Sequence, residues 1–135
     1  MIAVVCVDDK MGMTFLGRRL SRDSMLRARL IELCGGACLR MNSYSKGQFE
    51  EEYSIFVSES FLEEAETGDF CFVENCDITP FEEKIEKVLL YKWNRHYPSD
   101  VKFTFPLEEK GFVLKNVYEF EGSSHEKITE EIWER

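Results

Sequence analysis

Long hydrophobic runs are missing from this sequence: nothing in its 135 residues approaches the roughly 20 consecutive apolar residues that a membrane span needs. The apolar start, residues 1–7, lacks a basic leader and a plausible cleavage site. It is therefore not expected to be a signal peptide, and the expected location is the cytoplasm. Cations are scarce, with 17 Lys and Arg against 26 Asp and Glu and a formal net charge of -9. That balance argues against a nucleic-acid partner, because neutralising phosphates takes surplus Lys and Arg. Histidine is represented only by His96 and His125, too few for a histidine-rich metal centre. Repeats, low-complexity segments and interior linkers are lacking as well, so residues 1–135 read as one domain.

What is present is globular in character, with 44% apolar and 13% aromatic residues. The five cysteines are odd in number, in a chain long enough to build a core without staples. Reduced, mostly buried thiols are expected. The first seven residues are β-branched and apolar until Asp8-Asp9, which predicts a strand buried on both faces at the centre of a mostly parallel sheet. Gly12 and Gly17 then bracket a loop ending in Arg18-Arg19. Ser21, Asp23 or Ser24 can cap a helix running to about Leu33, with Leu26, Leu30, Leu33 and Cys34 on one face and Gly35-Gly36 as its stop.

Further strands are expected at residues 37–41, 55–57 (buried), 70–73 and 88–91, and a half-exposed one at 101–105. A polar turn over residues 42–47 can open a second helix. Ser60 with Glu63 suggests a short capped helix, and Thr79-Pro80 opens an acidic one with Phe81, Ile85 and Val88 facing inward. Residues 112–120 and 127–133 form a closing antiparallel hairpin around Gly122-Ser123-Ser124-His125. The order predicts an α/β fold: a mostly parallel central sheet, helices on both faces, and a C-terminal antiparallel hairpin.

That order resembles dihydrofolate reductase over nearly the whole chain. Met1-Ile2-Ala3-Val4-Val5, then Met11-Gly12-Met13-Thr14-Phe15-Leu16-Gly17-Arg18, is similar to that family's first strand and active-site loop. Asp23 stands near the start of the helix that carries its catalytic carboxylate. Leu39-Arg40-Met41-Asn42-Ser43-Tyr44-Ser45 is similar to the second strand and the turn that meets the cofactor. Lys87-Val88-Leu89-Leu90-Tyr91, Ser99-Asp100, Phe105-Pro106 and Glu130-Glu131-Ile132-Trp133-Glu134-Arg135 resemble its closing strands. The resemblance implies an NADPH-dependent reductase of a pterin-like substrate.

The departures imply the opposite. Leu20-Ser21 replace a Pro-Trp pair, and Met41-Asn42-Ser43 replace Met-Gly-Arg, whose Arg grips the cofactor phosphate. Glu74-Asn75 replace the paired glycines that let backbone amides approach a pyrophosphate. The span between Val57 and Phe70 is also short for the family's adenine-binding strand. A similar pattern occurs in short bacterial proteins that carry a ribonuclease Z label, although that enzyme's His-x-His-x-Asp-His zinc motif is absent here. The expectation is thus a binding or assembly module on a reductase scaffold, without a nicotinamide cofactor. The NADPH-dependent reductase and a hydrolase are the alternatives.

Several residues are candidates for a site. Asp23 is either a proton donor or a helix cap. Six arginines between residues 18 and 40 can bind a phosphate-bearing small molecule or partner, or pair with the acidic remainder of the chain or of a homo-oligomer. Arg18, Arg19, Ser43 and Ser45 are the ligand-binding candidates. Cys34-x3-Cys38 and Cys71-x4-Cys76 have spacings within reach of zinc but suit strand packing better, so no metal is expected. His125 can join Ser123 or Ser124 and a carboxylate in a triad, or sit in a hydroxyl-rich turn. Trp93 and Tyr97, beside His96, can frame a ligand or close the core.

Overall fold

Alternation along the first strand explains its unbroken apolar run. In β1 (Ile2–Val7), Ala3, Val5 and Val7 join one buried cluster with Phe61, Val73, Leu90 and Phe105. Ile2 and Val4 join a second cluster with Leu26, Leu30, Leu39, Phe72 and Tyr91 on the other face. Both faces are covered, so neither needs polar residues. The computed structural model describes residues 1–50 and 53–135; Glu51 and Glu52 lie outside the described residues.

After β1 come β2 (Gly12–Phe15) and β3 (Arg18–Arg19), an antiparallel pair joined through Leu16 and Gly17, both at positive φ. The expected loop is therefore a hairpin, because Gly17 at φ 75 supports the left-handed turn that twisted strands favour. Helix α1 (Ser24–Cys34) begins at Asp23 and stops at Gly35, which takes the left-handed conformation. Next are β4 (Leu39–Met41), the short α2 (Ser43–Lys46) capped by Asn42, and β5 (Ile55–Val57).

Helix α3 (Phe61–Glu64) and β6 (Phe70–Val73) follow. Ser60 makes no side-chain cap there; Ser58 Oγ instead accepts from the Ser60 amide at 3.1 Å and donates to Glu64. A 3-10 helix, Thr79–Lys84, leads into β7 (Lys87–Lys92). The chain ends with β8 (Val101–Lys102), β9 (Val113–Phe120) and β10 (Ile128–Glu134).

The main sheet has the order β5-β4-β6-β1-β7-β10-β9, while β3-β2-β8 form a small second sheet. Strands β5, β4, β6, β1 and β7 are parallel neighbours, and β10 and β9 are antiparallel. Strand β5 is the sheet's edge, with Phe56 and Val57 exposed, so the buried strand expected at residues 55–57 is corrected. Nothing among the described residues pairs beyond it to cover that side. Phe103 and Phe105 are buried while Val101, Lys102 and Thr104 are exposed, and only Val101–Lys102 form a strand. Among the described residues no helix is long and apolar enough to cross a membrane.

Candidate functional site

The carboxyl ends of β4, β6, β1 and β7 come together beneath the β2–β3 hairpin, at the edge where open α/β sheets collect ligands. Glu74 leaves β6 there and takes Arg19 of β3 in a fork, with Nε–Oε2 2.9 Å and Nη2–Oε1 3.1 Å. Gln48 Nε2 donates to the same carboxylate at 2.9 Å. Tyr44 completes the enclosure: its ring lies 4.4 Å under the guanidinium, its carbonyl accepts from Nη2, and its hydroxyl accepts from the Arg19 amide. Burial by itself lowers the Arg19 pKa, but the bonds and charge of Glu74 outweigh it and hold the guanidinium above its ordinary value. Asn75 turns toward the end of β4 and accepts from Asn42 Nδ2 at 2.9 Å. Glu74 therefore points into the fold, whereas Asn75 is exposed and is held at the surface by Asn42.

Little space remains beside the Arg19–Glu74 pair. Cys6, Met13, Leu20, Val73, Trp93 and the Arg19–Glu74 pair surround a cavity of about 10 Å³. That is room for a water at most, against the roughly 300–1,000 Å³ of small-molecule sites.

Outside this plug lies an open hollow of about 540 Å³, lined by Arg18, Arg19, Ser21, Arg22, Tyr44 and Ser124. Among the described residues neither Arg18 nor Arg22 has a carboxylate partner, whereas Arg29 and Arg40 are paired with Glu130 and Asp69. The arginine cluster thus divides, part serving the chain's own acids and part facing solvent. Ser43 and Ser45 do not reach the hollow. Ser43 is exposed, with its amide on Glu59, and Ser45 is 1% exposed with its hydroxyl unpartnered among the described residues. A larger hollow of about 640 Å³ lies by Met1 and Arg135, where Glu66, Glu83 and Glu86 alternate with Lys84 and Arg135 and so present both signs of charge.

Asp23 is the N-cap of α1. Its Oδ1 accepts from the Met25 and Leu26 amides at 2.9 and 3.2 Å. The same carboxylate receives the Ser123 amide at 3.0 Å and the Ser124 amide at 2.8 Å from the β9–β10 loop. Burial alone pushes its pKa up, but the amides of Ser123, Ser124 and Leu26, with His125, dominate and hold the carboxyl well below the usual range. A group held ionised in this way is a poor proton donor at neutral pH. Gly122 belongs to the same arrangement, because a Cβ there collides with the Asp23 carboxylate and Ile128.

His125 is 3% exposed and stacked on Trp93 at 4.6 Å. Its Nδ1 lies 3.0 Å from Ser124 Oγ and 3.3 Å from Asp23 Oδ2, while Nε2 meets Tyr97 Oη at 2.8 Å. A nucleophilic triad needs serine and carboxylate on different ring nitrogens. Here they share one, which rules out the triad and leaves the hydroxyl-rich turn, with His125 buried in it. Trp93 is buried, and His96 is exposed, 3.7 Å from Asp8.

The cysteines are all free thiols. Burial pushes the Cys34 and Cys71 thiols up to about 12, which keeps them protonated. Among the described residues no group of three or more His, Cys, Asp or Glu is placed to hold a metal. The site residues the sequence reading left out are Tyr44 and Gln48. The signal for Tyr44 was its place after Asn42, in the turn that follows β4.

No family model matches the sequence, and no curated protein matches it. Among solved structures the chain is similar to dihydrofolate reductase from Enterococcus faecalis complexed with NADP(H) and RAB-propyl. The TM-score is 0.69 at 9% sequence identity, covering 99% of this chain and 95% of that one. At that identity the likeness is one of architecture. With its parallel sheet centred on β1 and its antiparallel closing hairpin, the chain has a dihydrofolate reductase-like fold.

Proposed function

We propose that this protein is a binding module on a reductase scaffold, with no working nicotinamide site, and that it takes an anion at the outer hollow. One observation carries the reading. Glu74 occupies Arg19 from within, so the side chain best placed to meet a cofactor phosphate already has its anion. A carboxylate at the end of β6 also repels a pyrophosphate there, and the remaining 10 Å³ leaves no room for a ring. Arg18 and Arg22, with the hydroxyl of Ser21 nearby, offer the chemistry for a phosphate group on a small molecule or partner.

The test uses inorganic pyrophosphate and NADPH as probes. Pyrophosphate is expected to raise the melting temperature, less so at high salt, and the Arg18→Ala/Arg22→Ala double variant is expected to lose the effect. NADPH is expected to do no more than pyrophosphate and to leave tryptophan emission unquenched. Saturable NADPH binding that persists in the double variant replaces this reading with that of a reductase.

A further inference from the structure

The turn of the β2–β3 hairpin holds a residue that the fold does not explain. Leu16 and Gly17, its two central residues, are both at positive φ, 50° and 75°, the geometry that Asn-Gly ordinarily fills. Leucine is strained there, because its Cβ crowds the backbone in the left-handed region. Among the described residues two other non-glycine residues take positive φ, and each has a reason within the fold. Met11 packs against the core, and the Asn94 side chain bonds the Lys127 carbonyl and Thr129. Leu16 is 74% exposed, the most exposed large apolar side chain among the described residues, and joins neither buried cluster. Phe15 beside it is exposed as well.

The charges around the turn select the partner. Phe15 and Arg18 lie directly opposite each other across the hairpin, so their side chains share one face. Thr14 and Arg19, the next pair, share the other face, where Arg19 meets Glu74. From Thr14 to Arg22 there are three arginines and no acid, in a chain of net charge -9. The acid at the tip is Asp100, whose carboxylate accepts from the Leu16 amide at 3.1 Å. An exposed apolar tip beside arginines with no carboxylate partner suits a surface that carries phosphates outermost and hydrocarbon just beneath. An anionic bilayer is layered in that way, and the long arginine stem lets an apolar neighbour sit deeper than the charge. We infer that the hairpin tip docks on an anionic lipid surface, with Leu16 and Phe15 entering the interface while Arg18 and Arg22 take headgroup phosphates. The docking rests on the outer hollow being an anion site, and it makes the lipid headgroup the source of the phosphate.

The experiment is co-sedimentation of the full chain with vesicles at about 0.15 M ionic strength, where repulsion from the distant acids is screened beyond about 8 Å. Binding is expected to vesicles of phosphatidylcholine and phosphatidylglycerol in equal parts, and not to phosphatidylcholine alone. The Arg18→Ala/Arg22→Ala variant is expected to bind about 25-fold more weakly, about fivefold for each arginine. Leu16→Asn is expected to bind about tenfold more weakly. It is also expected to melt no lower than the wild type, since asparagine suits the left-handed turn. Its response to pyrophosphate is expected to be unchanged, because Leu16 does not line the hollow. Vesicle binding by Leu16→Asn as tight as that of the wild type overturns the proposal. So does a wild type that ignores acidic vesicles while pyrophosphate still raises its melting temperature, in which case the anion site stands without the lipid. Loss of both responses overturns the anion site as well.

Discussion

Replacing Glu130 with alanine is expected to lower the unfolding free energy by about 3–5 kcal/mol, the cost of breaking a buried ion pair from one side. Glu130 sits on β10 with none of its surface exposed, yet its carboxylate has a full set of partners. Arg29 of α1 reaches it as a fork, Nε–Oε2 3.0 Å and Nη2–Oε1 3.1 Å, and the Tyr91 hydroxyl of β7 donates to Oε2 at 2.8 Å. The Tyr118 ring lies 4.5 Å from the guanidinium and covers it from the side of β9. One carboxylate thus ties the helix to β10 and β7, and the arginine it holds adds the contact with β9. Burial, with Glu130 beside it, drives the Tyr91 pKa far above its ordinary value, so that hydroxyl stays a donor at any working pH.

Without Glu130, the buried Tyr91 hydroxyl loses its acceptor and Arg29 keeps only the longer contact of its Nη1 to Glu32 at 3.7 Å. Urea unfolding monitored by circular dichroism measures the loss, which for a domain of this size corresponds to a fall of 10 °C or so in melting temperature. Glu130→Gln, which keeps the shape and one acceptor oxygen, is expected to lose less. Equal losses for the two variants count against the charge-based account.

Asp23→Ala is expected to cost about 2–4 kcal/mol, more than a surface helix cap, because the carboxylate also closes the β9–β10 loop. Removing it leaves the amides of Met25, Leu26, Ser123 and Ser124 without their acceptor. The pH dependence follows from the depressed pKa. An acid that ionises more readily folded than unfolded stabilises the fold above its unfolded pKa of about 3.9, and the contribution is lost as pH falls through the folded value. Asp8, Asp69 and Glu86 are shifted in the same direction: burial alone raises each, and hydrogen bonds outweigh it. Stability is therefore expected to hold down to about pH 5 and decline progressively below it. Asp23→Asn is expected to flatten that decline when unfolding is followed between neutral and acid pH. An unchanged slope removes Asp23 from the account.

Much of this protein was legible in its sequence because the signals are local. The run Ile2–Val7 has apolar residues at both parities, so β1 had to be covered on both faces. Asp23 before Leu26 and Leu30, with Gly35 after Cys34, marks both ends of α1 through backbone conformations that short-range chemistry controls. The fold class, a mostly parallel sheet with a closing antiparallel hairpin, followed from the order of such elements.

What failed was also instructive. Ser60 and Glu63 have the spacing of a capping box, yet Ser58 two residues earlier makes the bonds. Ile55-Phe56-Val57 is apolar enough for a core strand but lies at the edge, since nothing in three residues says how many strands follow beside them.

The site was decided by tertiary structure alone. Glu74 was legible as a departure from a glycine pair, but its capture of Arg19, 55 positions away, depends on how the β2–β3 hairpin folds over the sheet. Ser124 and His125 meet Asp23 across about a hundred residues, and only that encounter places both groups on a single imidazole nitrogen. Residue type and periodicity fix where a backbone bends and which face it buries, because those energies act within a few residues. Which acid neutralises which arginine is set by distances that exist only once the sheet has assembled, and that pairing separates a plugged cleft from an open one.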